Sequence, residues 1–67
     1  MNKYLIFKEP FYRIEKETGE SVLLCLANIS YRVVDEDDEA YYIKSIHKEK
    51  FGIDKRYNEE LFTIKEK

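Results

Sequence analysis

The sequence predicts an α+β domain: a small antiparallel β-meander of three to four strands, with one or two short C-terminal helices packed on one face. Three observations lead there. Residues 21–34, SVLLCLANISYRVV, keep an apolar residue at every odd position from Leu23 to Val33, the period-two signature of a half-buried strand. Polar segments, EKETGES before that run and DEDDE after it, offer a hairpin turn at each end. In the last third, Asp54 stands where a helix cap would, and Tyr57, Leu61 and Ile64 follow at helical spacing.

The elements follow in order. KYLIF, residues 3–7, reads as a further strand or a bent continuation of the next. Pro10, which lacks an N–H, separates it from a strand over 11–17 and suits an edge or a bulge. Gly19 gives the next turn a residue free to take positive φ. With Glu17 opposite Glu20, Ile14 faces Leu23 and Tyr12 faces Cys25; a slip by one would bring Glu15 onto the core face. The central strand covers 21–34. Setting Val34 opposite Ala40 leaves 35–39 as the loop, with Val33 facing Tyr41, Tyr31 facing Ile43 and Arg32 facing Tyr42. A third strand covers 39–46. SIHKEKFG predicts a short helix from Ser45 as N-cap to Gly52 just past its end, and Asp54 caps a second. LFTIK equally reads as a last strand, but a helix would cover the apolar sheet face and is preferred.

Sixty-seven residues predict one domain, 1–67, with a marginal core. A lone cysteine excludes an intrachain disulfide, and one cysteine with one histidine cannot fill a zinc site without carboxylates or a second chain. Packing or association is left as the stabiliser, so a homodimer or structural homo-oligomer is one expected state. MNKYLIFKEPF has no apolar core of signal-peptide length, and no run approaches a membrane span. With the lone Cys25, the expectation is a cytoplasmic protein without membrane contact.

No enzyme motif is present, and neither catalytic residues, cofactor nor metal is expected. Cys25 lies among apolar neighbours, where a thiol is inert. His47 is far from it in sequence and reads as a surface residue. Asp35, Asp37 and Glu39 alternate like the first ligands of a calcium loop, but no turn glycine or distal glutamate follows at the required spacing.

Charge is the informative feature. The net −2 conceals +1 over residues 1–34, −5 over 35–39, +3 over 40–56 and −1 over 57–67. Asp35, Glu36, Asp37, Asp38 and Glu39 on one hairpin would concentrate negative potential. Such a tip can enter a basic cleft and compete with phosphate there. The same acids would also serve simply as a soluble turn that blocks edge-to-edge sheet association. Arg32 and Tyr42, expected as neighbours on the second sheet face, add a candidate interface pair. The runner-up site is the basic segment with Lys44, Lys48, Lys50, Lys55 and Arg56, interleaved with Phe51 and Tyr57 and suited to nucleic acid.

In size and in its Lys/Glu/Tyr/Ile-rich composition the chain is similar to small proteins of phages and mobile elements. That likeness implies an inhibitor of host machinery, some such proteins acting by acidic mimicry of nucleic acid. The expected function is therefore a non-enzymatic binding protein, an inhibitor or modulator of a nucleic-acid-processing protein. The alternatives are an accessory nucleic-acid binder using 44–56 and a homo-oligomeric subunit.

Overall fold

The computed structural model describes residues 2–67 and is all-β. Its strands are β1 (Lys3–Phe7), β2 (Phe11–Ile14), β3 (Ser21–Cys25), β4 (Ser30–Arg32), β5 (Asp35–Glu36), β6 (Ala40–Lys44), β7 (Lys50–Asp54) and β8 (Phe62–Glu66), with a single 3₁₀ turn at Lys55–Tyr57. They form three small antiparallel sheets of order β4-β1-β8, β2-β3 and β5-β6-β7. The expected α+β class is therefore wrong, and the cause lies in the last third. Among the described residues no helix is long and apolar enough to cross a membrane.

Residues 45–49 make a turn rather than a helix. Ser45 exchanges backbone bonds with Glu49 and Lys48, its hydroxyl accepts the His47 N–H at 3.0 Å, and Lys48 takes φ 69°. Lys50–Asp54 then returns beside β6, with Tyr41 opposite Ile53, Tyr42 opposite Gly52 and Ile43 opposite Phe51. Gly52 is thus a mid-strand residue, not a helix stop. Asp54 does cap, its carboxylate accepting the Arg56 N–H at 2.9 Å, but what it caps is one 3₁₀ turn. Glu59 at φ 72° ends that excursion, and the LFTIK segment becomes β8. A helix with Tyr57, Leu61 and Ile64 inward would turn Phe62 aside. In the strand the wholly apolar Phe62 ring is completely buried, while Tyr57, whose hydroxyl is costly to bury without a partner, keeps its place at the surface.

The long strand over 21–34 is also broken. Asn28 takes φ 62°, a left-handed conformation that asparagine tolerates, and donates its N–H to the Phe7 carbonyl at 2.9 Å. The Leu26 N–H is held by the Tyr31 hydroxyl at 2.7 Å. Consequently β3 pairs with β2 while β4 pairs with β1. In the first hairpin Tyr12 faces Leu23 and Ile14 faces Ser21, two residues from the expected register, because the turn takes in residues 16–19 and Glu15 pairs with Glu20. A bulge at Phe11/Tyr12 twists the end of the hairpin, and both Leu24 and Cys25 are buried.

The run 30–36 serves two sheets. The Val33 N–H bonds the Lys3 carbonyl of β1, and the next amide, Val34, bonds the Tyr42 carbonyl of β6, each within 2.9 Å. Together with the β2-β3 hairpin, the sheets so joined enclose a core of Leu5, Phe7, Leu24, Cys25, Tyr41, Ile43, Ile53 and Phe62. Aromatic contacts run through it: Phe51 on Phe11, Phe11 on Phe7, Phe7 on Phe62 and Phe62 on Tyr41, with centroids 5.2–6.2 Å apart.

Candidate functional site

The acidic hairpin is shorter than its five acids suggest. Asp35 pairs with Tyr42 and Glu36 with Tyr41, and the Asp37 N–H bonds the Ala40 carbonyl at 3.0 Å. Asp35 and Glu36 are thus strand residues, and Asp38 and Glu39 alone form the tip. This register is three residues from the expected one. It removes the predicted Arg32–Tyr42 pair: Arg32 stands opposite Tyr4 on β1, and Tyr42 lies against Gly52 on β7.

Three of the acids are engaged within the chain. Glu36 receives Lys55 Nζ at 2.7 Å and Lys3 Nζ at 3.1 Å. The hydrogen bonds from Lys55 and then Lys3 hold its carboxyl below the usual value. Asp35 meets Lys50 Nζ at 3.4 Å. Asp37 organises the turn: one carboxylate oxygen accepts the N–H groups of Glu39 and Ala40 and the other accepts the Tyr42 hydroxyl, all at 2.8 Å. The Tyr42 hydroxyl, followed by the two backbone donors, lowers the Asp37 pKa, and the same hydroxyl's own pKa rises in consequence. Among the described residues the carboxylates of Asp38 and Glu39 make no ion pair. They border a shallow groove with Asp54, Lys55 and Arg56.

The basic segment is spread over β6, β7 and the 3₁₀ turn. Lys50 and Lys55 are the partners of the acids just described, and lie 5.4 Å from the Tyr42 ring centroid and 5.0 Å from the Tyr41 centroid respectively. Arg56 Nε pairs with Asp54 at 3.1 Å and its guanidinium lies over Tyr57. Lys44 and Lys48 are exposed without a carboxylate partner among the described residues.

Cys25 is fully buried, and desolvation pushes its thiol up to about 12. His47 is exposed and directs Nε2 at the Leu23 carbonyl, 3.0 Å away, which only a protonated Nε2 can satisfy.

One surface was missed from the sequence. On the solvent side of β4-β1-β8, Tyr4 stands between Arg32 and Lys65 in one cross-strand row, with Ser30, Ile6 and Thr63 in the next. Lys67, paired through its backbone with Asn2, brings Nζ to 5.5 Å from the Tyr4 ring centroid. The signal was the alternation of Asn2, Tyr4 and Ile6 and of Thr63, Lys65 and Lys67. It carries weight only once β1 and β8 are known to be neighbours. No family model, curated protein or solved structure matches the chain.

Proposed function

We propose that this chain is a non-enzymatic binding protein that presents its acidic hairpin to the basic cleft of a nucleic-acid-processing protein, acting there as a phosphate mimic that inhibits or modulates it. The observation that carries this reading is the pair of free carboxylates, Asp38 and Glu39, on a turn locked by Asp37. A tip already held in shape loses little entropy on docking. Because Asp35 and Glu36 are offset by lysines, the mimicry is local, two carboxylates wide, rather than a field of five. Tight binding would then depend on arginine or lysine side chains in the partner meeting those two groups directly.

The test compares wild type with the Asp38→Asn/Glu39→Gln variant as bait in an extract of the native host, followed by binding kinetics on any captured protein. The expected result is a nucleic-acid-processing partner whose capture is lost in the variant. Its association rate should fall as salt rises. Equal capture by both baits would rule the reading out.

A second reading, a homo-oligomeric subunit, is favoured by β2. Since Glu15 donates to Glu20, the alternation of an antiparallel pair turns the N–H and C=O groups of Tyr12 and Ile14 away from β3, toward an open edge. Their side chains are 52% and 61% exposed. Antiparallel pairing of two such edges, Tyr12 opposite the copy's Ile14, would bury both. Solution mass by sedimentation, repeated on Ile14→Lys, tests it: a dimer lost in the variant supports this reading, and a wild-type monomer ends it.

A further inference from the structure

We infer that the solvent-facing side of β4-β1-β8 binds single-stranded nucleic acid. The inference is independent of the acidic hairpin, which belongs to another sheet.

Neighbouring strands lie about 4.8 Å apart, so Arg32 and Lys65 flank the Tyr4 ring at equal steps across the sheet. Lys67 adds a third cation, directly at the ring. Arg32, Lys65 and Lys67 have no carboxylate within ion-pairing distance among the described residues, whereas Lys3, Lys50, Lys55, Arg13 and Arg56 each have one. The nearest acid in sequence, Glu66, is opposite Lys3, and strand alternation puts both on the other side of the sheet.

A single strand matches this chemistry on two counts. An unpaired base can stack on the half-buried Tyr4 ring, and the phosphates on either side of that base come within reach of the long cationic side chains. When a base takes the ring face, the Lys67 ammonium is displaced from the ring toward phosphate. Exposed Ser30 and Thr63, in the next row on either side of Ile6, extend the face with hydroxyls and without negative charge. A duplex keeps its bases stacked on one another and would leave the ring unused. An acidic peptide would satisfy the cations but not the ring.

The test is fluorescence anisotropy with labelled oligothymidylate and oligouridylate of about twelve nucleotides, within the range of single-strand site sizes. Wild type should bind both, with a log–log salt slope of about −2 for three phosphate contacts. Tyr4→Leu should weaken binding about tenfold at unchanged slope, Tyr4→Phe should restore it, and Arg32→Gln/Lys65→Gln/Lys67→Gln should bring the slope close to zero. Lys44→Gln/Lys48→Gln should bind as wild type does. Urea midpoints identify any variant that has lost its fold; should Tyr4→Leu be one, the β-forming Tyr4→Thr replaces it as the ringless variant. The inference is overturned by absence of oligonucleotide binding at low salt or by full binding in the triple variant. It is also overturned if duplex binds as well as single strand, or if polyglutamate or anionic vesicles compete as well as unlabelled oligonucleotide.

Discussion

The Tyr42 ring lies across Gly52 so closely that a β-carbon on the glycine would stand 2.7 Å from Tyr42 Cε1. The same tyrosine donates its hydroxyl to Asp37. The absent side chain on β7 therefore sets the position of the ring that braces the acidic turn. Gly52→Ala should push the ring aside and cost about 1–3 kcal/mol, the usual range for overpacking. Urea denaturation measures it, and NMR should show the Glu39 and Ala40 amides shifting with the ring. A fully stable variant with unmoved amides would refute this coupling.

Acid should loosen the same hairpin. Lys55 and Lys3 depress the Glu36 pKa, and Tyr42 with the turn amides depresses that of Asp37. A carboxylate whose folded pKa is lowered contributes stability above its unfolded pKa and loses it as pH falls through the folded value. The urea midpoint should hold through neutral pH and drop below about pH 4. Glu36→Gln/Asp37→Asn should flatten that acid limb. Lys3 and Tyr42 have raised pKa values, so their contributions are complete below their unfolded values and fade as pH climbs beyond about 10. Because Glu36 and Asp37 are the main causes of those raised values, the double variant should flatten the alkaline limb as well as the acid one, and titrating stability against pH in both proteins checks it.

Cys25 should resist thiol reagents while the protein is folded. Its thiol is buried and stays protonated far above neutral pH, and the thiolate is the reacting species. Labelling should keep pace with unfolding and accelerate in urea. Cys25→Ser should cost about 1–3 kcal/mol by leaving a hydroxyl in an apolar site. Rapid labelling in native buffer would contradict the burial.

Phe62→Ala should be the most damaging change in the C-terminal third, about 3–5 kcal/mol by cavity formation. Tyr57→Ala, at a residue 37% exposed, should cost far less. A helical segment would invert that order, so the pair of urea midpoints discriminates strand from helix.

These elements also show what the sequence could reveal. Residues 3–7 and 40–44 were legible because a short apolar run bounded by polar residues needs no distant information. The shape of the 21–34 run was not. Its odd-position pattern continues through Asn28, and only the Phe7 carbonyl, far away in sequence, gives that residue's amide a reason to turn left-handed. The acids misled in the same way. Five like charges favour a solvated loop, unless cations arrive from elsewhere to admit two of them to a strand. Lys3, Lys50 and Lys55 do so from other strands and the 3₁₀ turn. Spacing in the last third satisfied a helix as well as a strand. The choice fell to Phe62, whose burial depends on a core assembled by the rest of the chain.

The pairing of β1 with β8 has a consequence for synthesis. β1 leaves the ribosome well before β8, the strand it pairs with, and the other strands emerge between them. Until residues 62–66 emerge, one edge of β1 lacks its partner, and Leu5 and Phe7 lack the ring of Phe62 that closes over them. Vectorial translation can therefore prepare the β2-β3 and β6-β7 hairpins, whose contacts are local, but cannot complete the core in passing. The nascent chain carries an open edge and apolar surface until β8 is released, and that interval is when β1 is most exposed to association with other chains.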